Sequence, residues 1–213
     1  MQNKKVVLVS LIVLILLFLG GGYIYKDNQE KQLSLNTKQN YSALVRESSF
    51  ILGNKNAKVE LVEFFDPACE TCAQMYPITK DIMKKNEGNI KLVLRYAPFH
   101  KGSVDVVRML EATKEQGKFL EILELLFVTQ KFWTVNHVVD LDKVWGVLVT
   151  SKLLDMDKLV EDMKDPKIIE IVKQDIADAK TLKANKTPAY YVNGKPLQVF
   201  GVENLIDLIN SEL

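Results

Sequence analysis

Hydrophobic and polar positions divide this chain into distinct stretches. Val6 to Tyr25 is uncharged, about twenty residues, the length that spans a bilayer core as a helix. Asp27 to Ser48 is polar and rich in Gln, Asn and Lys, with a weak periodicity at Tyr41-Ser-Ala-Leu-Val45. It reads as a tether with a short helix, with a flexible span of roughly 25 Å. From Phe50 the pattern becomes orderly. Phe50-Ile-Leu52 predicts a short strand ending at Gly53-Asn54, and Ala57–Phe65 a longer one. A helix follows from Cys69 to about Glu87, kinked at Pro77. Ile90–Tyr96 alternates as a strand and leads into the loop Ala97–Gly102. A long helical region runs from Ser103 to about Lys183, broken near Gly117, Lys131–Asn136, Ser151–Asp155 and Asp165-Pro166. Ala189–Val192 is a strand, Asn193-Gly194 a type I′ hairpin signal, and Lys195–Phe200 the returning strand. Val202–Glu212 closes the chain as an amphipathic helix through Leu205, Ile206, Leu208 and Ile209.

Charge adds a direction to the first stretch. Lys4 and Lys5 precede the apolar run, so the basic end stays in the cytoplasm and the remainder is exported. The run fits an uncleaved anchor by its length. A cleaved signal peptide, with Val6–Leu19 as its apolar core and Gly20-Gly21-Gly22 as its small-residue site, is the competing reading. Of 213 residues, about 185 follow the segment, enough for one compact domain. With 28 basic and 27 acidic residues, the net charge of +1 gives no footprint for a nucleic-acid partner.

The chain has two cysteines, both in Cys69-Glu-Thr-Cys72, directly after the apolar run Val59–Phe65. A strand that delivers a Cys-x-x-Cys to a helix start is a mounting for thiol–disulfide chemistry. Positions i and i+3 share a helix face, so the sulfurs can close a disulfide across one turn. Cys69 near the helix N-terminus is the attacking sulfur, favoured as a thiolate by unpaired N–H groups, and Cys72 one turn deeper is the resolving one. No second pair supplies ligands for a tetrahedral zinc site. An exported domain without spare thiols also avoids mispairing.

Strand–helix–strand, a helical insert, then hairpin and helix is the order of a thioredoxin fold interrupted by an extra helical block. Leu52-Gly-Asn followed by Ala57-Lys-Val, Val62-Glu-Phe-Phe before the cysteines, Cys69-x-x-Cys72, and Thr187-Pro188 before an Asn-Gly hairpin resemble the DsbA-like thiol–disulfide oxidoreductases. The resemblance covers about Phe50 to Leu213. The expected architecture is α/β: residues 1–26 as cytoplasmic start and membrane anchor, 27–48 as tether, and 49–213 as a thioredoxin-like domain with a helical insertion at about 103–183. The resemblance implies a cis peptide before Pro188, packed beside the active-site disulfide, and a helical block that covers one side of the site and helps shape a substrate groove.

Glu63 sits in a strand apolar on both faces, so its carboxylate is expected to be buried, which is costly when unpaired. It reads either as a structural carboxylate paired with a lysine or as a proton acceptor for Cys72, its pKa raised by desolvation; the family carries an acidic residue here. Pro188 reads as a strand-start proline, or, with the family, as a cis-proline that leaves the Thr187 backbone open to an extended substrate segment. Asp66 before Pro67 is expected to cap the cysteine-bearing helix. His100 reads as a polar surface or capping residue, Trp145 as core, and Asn40-Tyr-Ser42 as a chance glycosylation triplet. Well-known family members carry Pro-His between the cysteines, where this chain has Glu70-Thr71. A carboxylate beside Cys69 disfavours the thiolate, which predicts a raised thiol pKa and a potential between about −150 and −230 mV.

The expected function is an exported, membrane-tethered oxidoreductase, most directly a disulfide-forming oxidase of protein substrates recycled by a membrane redox partner. Its cofactor would be the Cys69–Cys72 disulfide alone. A reductase or isomerase is the alternative direction. Outside redox chemistry, Cys69 and Cys72 suit copper(I), with Met75 one turn on, and a chaperone-like binding role needs neither sulfur.

Overall fold

The structure, a computed structural model, describes residues 3–213. Its first element corrects the tether. Helix α1 runs unbroken over Lys4–Gln39, through the apolar stretch and well into the polar one. The segment after Tyr25 is built of Lys, Gln, Glu, Asn and Leu without a glycine or proline, and Lys31 pairs with Asp27 one turn back at 2.6 Å. Propagating a helix already nucleated costs little, so polarity alone misreads this stretch as coil. Residues 40–48 are not a tether either. Tyr41–Ala43 forms a 3₁₀ turn, Leu44 is fully buried, and the Tyr41 hydroxyl donates to Glu60 Oε1 at 2.5 Å.

Five strands form one sheet in the order β1-β3-β2-β6-β7. They are β1 (Phe50–Gly53), β2 (Val59–Phe65), β3 (Ile90–Tyr96), β6 (Ala189–Val192) and β7 (Lys195–Pro196). The central pair β2–β3 is parallel and every other pairing antiparallel. All of β2 is buried, Glu60 and Glu63 included, as in a strand covered on both faces. β7 stops at Pro196, short of the expected Phe200, because proline brings no donor to the ladder. Asn193 and Gly194, both at positive φ (46° and 78°), make the turn before it. A side chain at 194 would meet the Tyr41 ring at 3.2 Å.

Alternation sorts β2 between two cores. Val59, Leu61 and Phe65 face the larger one, with α2 (Glu70–Lys85), α3 (Ser103–Ala112), α4 (Phe119–Trp133) and α8 (Val202–Asn210). Val62 and Phe64 face the smaller one, with Leu44, Ala179, Leu182 and Tyr191. By the same period Glu63 points to the larger core, the side that holds Cys72. Beneath the smaller core lies a buried ionic cluster. Arg95 of β3, with no exposed surface, donates to Asp175 Oδ1 at 2.8 Å and Asp178 Oδ2 at 2.6 Å, both on α7 (Pro166–Thr181). It also donates to the carbonyls of Ala43 and Leu44, and Arg46 adds two bonds to Asp178.

The insert is α3, α4, α5 (Leu141–Ser151), α6 (Met156–Asp162) and α7. The break at Lys131–Asn136 contains an element the sequence pattern does not announce. β4 (Thr134–Val135) and β5 (Val138–Val139) form a small hairpin across Asn136-His137. Both turn residues take positive φ, 51° and 61°, the type I′ requirement.

Candidate active site

β2 ends at Phe65 and α2 begins at Glu70, so four residues, Asp66-Pro-Ala-Cys69, turn the chain onto the helix. Asp66 is buried but does not cap α2. Its Oδ1 accepts from Ala68 N at 2.8 Å and from the Ser103 hydroxyl. Its Oδ2 accepts from the backbone N–H of Phe99 and of His100, and lies 2.6 Å from His100 Nδ1. Asp66 thus ties the cysteine turn to the β3–α3 loop, and the N-cap position is Cys69 itself. Gln130 of α4, buried, holds the turn from the other side, donating to the carbonyls of Pro67 (2.7 Å) and Cys69 (3.0 Å). His100, read as a surface or capping residue, is instead a half-buried partner of Asp66.

Cys69 keeps 7% of its surface exposed and Cys72 none, the asymmetry the attacking and resolving roles need. Both are free thiols here. The Cys69 thiol is pushed down to about 5: the Cys72 thiol donates to it, outweighing burial, and the Thr187 hydroxyl and the backbone N–H groups of Cys72 and Thr71 add to this. Glu70 is the first residue of α2, its side chain half exposed, with Oε2 3.4 Å from His137 Nδ1. The groups that lower the Cys69 thiol are these four donors. Cys72 moves the other way, driven well above its ordinary range by burial, then by the hydrogen bond to Cys69 and the charge of Glu63.

Glu63 is 1% exposed, and neither carboxylate oxygen has a hydrogen-bond partner among the described residues. The lysine of the structural reading is therefore not present as a partner. Burial raises its pKa to about 8, opposed by the Tyr190 hydroxyl and assisted by the charge of Cys69. Tyr190 stands directly across from Glu63 in the β2–β6 register, and its hydroxyl lies 3.3 Å from Thr79 Oγ1. A carboxyl with this environment can hold a proton near neutral pH and give it up within the core.

The Thr187–Pro188 peptide is cis, and Pro188 is buried. The Thr187 carbonyl accepts from Cys69 Sγ at 3.3 Å, so the residue before Pro188 sits against the reactive sulfur. Thr71 contributes through its backbone N–H. The structure thus brings Cys69, Cys72, Glu63, Thr187 and Thr71 into one site and turns the Glu70 carboxylate toward His137. Gln130 and His137 are the residues that reading the sequence misses. Nothing local marks Gln130, which reaches the site from 61 positions away. His137 had a signal: Thr-Val-Asn-His-Val-Val is two β-branched pairs around a two-residue turn.

A central parallel pair flanked by antiparallel strands, a Cys-x-x-Cys at the start of the following helix, a buried acid on the strand before it and a threonine–proline step against the sulfur define a thioredoxin-like protein with a Cys-x-x-Cys site. The family model described as Thioredoxin matches residues 45–210, and the chain belongs to that family. The chain is similar to a putative protein-disulfide oxidoreductase of Rickettsia typhi, 21% identical over 196 residues, 87% of this chain and 69% of that protein. It is also similar to part of the Na(+)/H(+) antiporter NhaA of Herminiimonas arsenicoxydans, 28% identical over 152 residues, 71% of this chain. Of that antiporter's own length the chain spans 23%. Among solved structures, BdbD from Bacillus subtilis superposes with a TM-score of 0.68 at 24% identity over 78% of this chain and 93% of that one. Wolbachia pipientis α-DsbA1 does so with a TM-score of 0.69 at 16% identity, over 81% and 94%.

Proposed function

We propose that this chain is a disulfide-forming oxidase of exported proteins, held at the membrane by α1. One observation carries the direction: Cys69 is the sulfur whose surroundings favour the thiolate, while Cys72 is held as a thiol. A low-pKa leaving thiolate stabilises the reduced pair, which makes the disulfide a better oxidant. The name of the Rickettsia typhi relative supports the reaction class.

In the oxidised state, a substrate thiolate attacks Cys69 Sγ. The Sγ–Sγ bond breaks, and the electron pair leaves on Cys72, which takes up the proton that Glu63 holds near neutral pH. A second substrate thiolate then attacks the substrate sulfur of the mixed disulfide, forming the substrate disulfide and releasing Cys69 as its stabilised thiolate. Two electrons end on the dithiol, and a membrane-borne disulfide or quinone-linked oxidant takes them to restore the pair. The Thr187 backbone, beside Cys69 and before β6, is placed to pair with an extended substrate segment. α1 is long and apolar enough to cross a bilayer, and Lys4 ahead of it supports a reading with the domain outside the cytoplasm.

The test is the equilibrium potential of the pair, titrated against glutathione. A value near about −120 to −150 mV supports an oxidase, and one near about −200 mV or below makes the protein a reductase or isomerase.

A further inference from the structure

Both histidines of the chain converge beside the cysteine turn, meeting Asp66 and Glu70 from separate elements. His100 lies in the β3–α3 loop, its Nδ1 2.6 Å from the buried Asp66 carboxylate. His137 stands at the tip of the β4–β5 hairpin, its ring stacked on His100 with centroids 5.1 Å apart and planes at 26°. Its Nδ1 is 3.4 Å from Glu70 Oε2. The result is a chain of groups, Asp66, His100, His137 and Glu70, that begins on the first residue of the cysteine turn and ends on the residue after Cys69.

The hairpin is held in that position. Val139 N donates to the Lys101 carbonyl at 3.0 Å, and Asp140 N to the Trp133 carbonyl at 2.8 Å. Lys101 and Val138 form a bridge between the loop and the hairpin. His137 itself takes a left-handed backbone, φ 61°, as its place in the type I′ turn requires. Glu70 would otherwise place a full negative charge one residue from a sulfur that must leave as an anion.

We propose that His137 is a positioning residue for thiol–disulfide exchange: it engages the Glu70 carboxylate and offsets that charge beside the Cys69 sulfur. His100, fixed by Asp66, supplies the flat surface on which the His137 ring rests. The helical insert thereby acts on the dipeptide between the cysteines through space, with the compensating imidazole supplied by the hairpin. The proposal rests on the exchange reading of the site, but its readout, ionisation of Cys69, is independent of the direction of exchange. Loss of one does not imply loss of the other.

The experiment is a double-mutant cycle on the reduced protein, following Cys69 ionisation by its alkylation rate against pH. His137→Asn is the chosen variant because asparagine tolerates the left-handed backbone. In the native background it should lower the thiolate-forming equilibrium by about two- to five-fold, the range of a partly exposed ion pair. In the Glu70→Gln background the same change should have less than about a 1.3-fold effect. His137→Lys, which puts a cation at that position, should restore most of the loss. Equal effects in both backgrounds overturn the proposal, since His137 would then not act through Glu70; so does no effect in either. Glu70→Gln alone gives an answer even if the hairpin variants fold poorly. An increase of about ten-fold in ionisation would mean that the carboxylate was never offset, whereas a small change is the expected result.

Discussion

Single side chains decide the chemistry of this site by where they sit in space. Cys69, Cys72 and Glu63 were legible as a set, because an acid in a mostly apolar strand that leads into a Cys-x-x-Cys leaves few other roles. The N–H groups at the helix start were legible as favouring a Cys69 thiolate, whereas the Cys72 and Thr187 side chains that add to them were not. Alkylation of Cys69 in the reduced protein should therefore reach half its limiting rate near pH 5, far below an ordinary thiol. A half-point near about 8.5, the free-cysteine value, would remove the basis of the oxidase reading. Glu63 gives a second pH signature. Its folded pKa of about 8 lies above the ordinary carboxyl value of 4.5, so between those values the native state binds the proton that the unfolded chain has lost. Stability then falls as pH rises through that window, by at most about 1.4 kcal/mol per pH unit. Glu63→Gln should flatten this slope in thermal melts and raise stability at the alkaline end, while slowing exchange. Parallel slopes for variant and native protein would show that the carboxyl is ionised or solvated.

At the scale of elements, strands with a long period-two or apolar pattern were read to within a residue or two. Pieces of two residues were not, since β4 and β5 are too short to show any period. The helical stretch after Tyr25 failed for the opposite reason: its periodicity is weak, but nothing interrupts it. Two contacts between elements carry most of the load around the site. Gln130 joins α4 to the cysteine turn. Gln130→Leu leaves two buried carbonyls short of a donor and should cost about 1–3 kcal/mol, with a measurable fall in the Cys69 exchange rate. Arg95 joins β3 to α7 and to the segment before β1. Burial raises the Asp178 pKa, but Arg46, Arg95 and Gln174 outweigh it and lower the pKa overall. Arg95→Met should destabilise by about 3–5 kcal/mol, because it strands buried carboxylates. Denaturant unfolding of the soluble domain checks this, and a loss under about 1 kcal/mol would mean that the cluster is hydrated.

For the whole molecule, the domain begins earlier in the chain than polarity suggests, near residue 40 in place of 49. A fragment starting at residue 40 keeps Tyr41 on Glu60, Leu44 in the smaller core and the Ala43 and Leu44 carbonyls on Arg95. A fragment starting at residue 48 loses all of these along with Arg46. It should be less stable by about 4 kcal/mol or more, counting one buried leucine and the broken bonds of Arg95. Equal melting temperatures for the two fragments would show that residues 40–47 are dispensable. The fold class was visible from the order of elements alone, whereas this seam was not. It is made by a side chain on β3 that meets backbone carbonyls some fifty positions earlier, a relation no local pattern encodes.

The same seam bears on reach. The last part of α1 is fastened to the domain, with Asn36 donating to the Thr181 carbonyl at 2.8 Å and Thr37 buried. With α1 in a bilayer, the sulfur of Cys69 would stand at a set height and heading, turning as one piece with its shaft. It would not sweep a hemisphere on a string. The exposed helix from Lys26 to Gln39 is about 20 Å long at 1.5 Å per residue. Inserting seven residues there would lift the domain by about 10 Å with its heading nearly kept, and two residues would swing it by about 200°. Soluble substrates would notice neither change. A recycling partner embedded in the same membrane would meet a displaced or averted sulfur, so substrate turnover with a chemical oxidant would survive while turnover through that partner would fail.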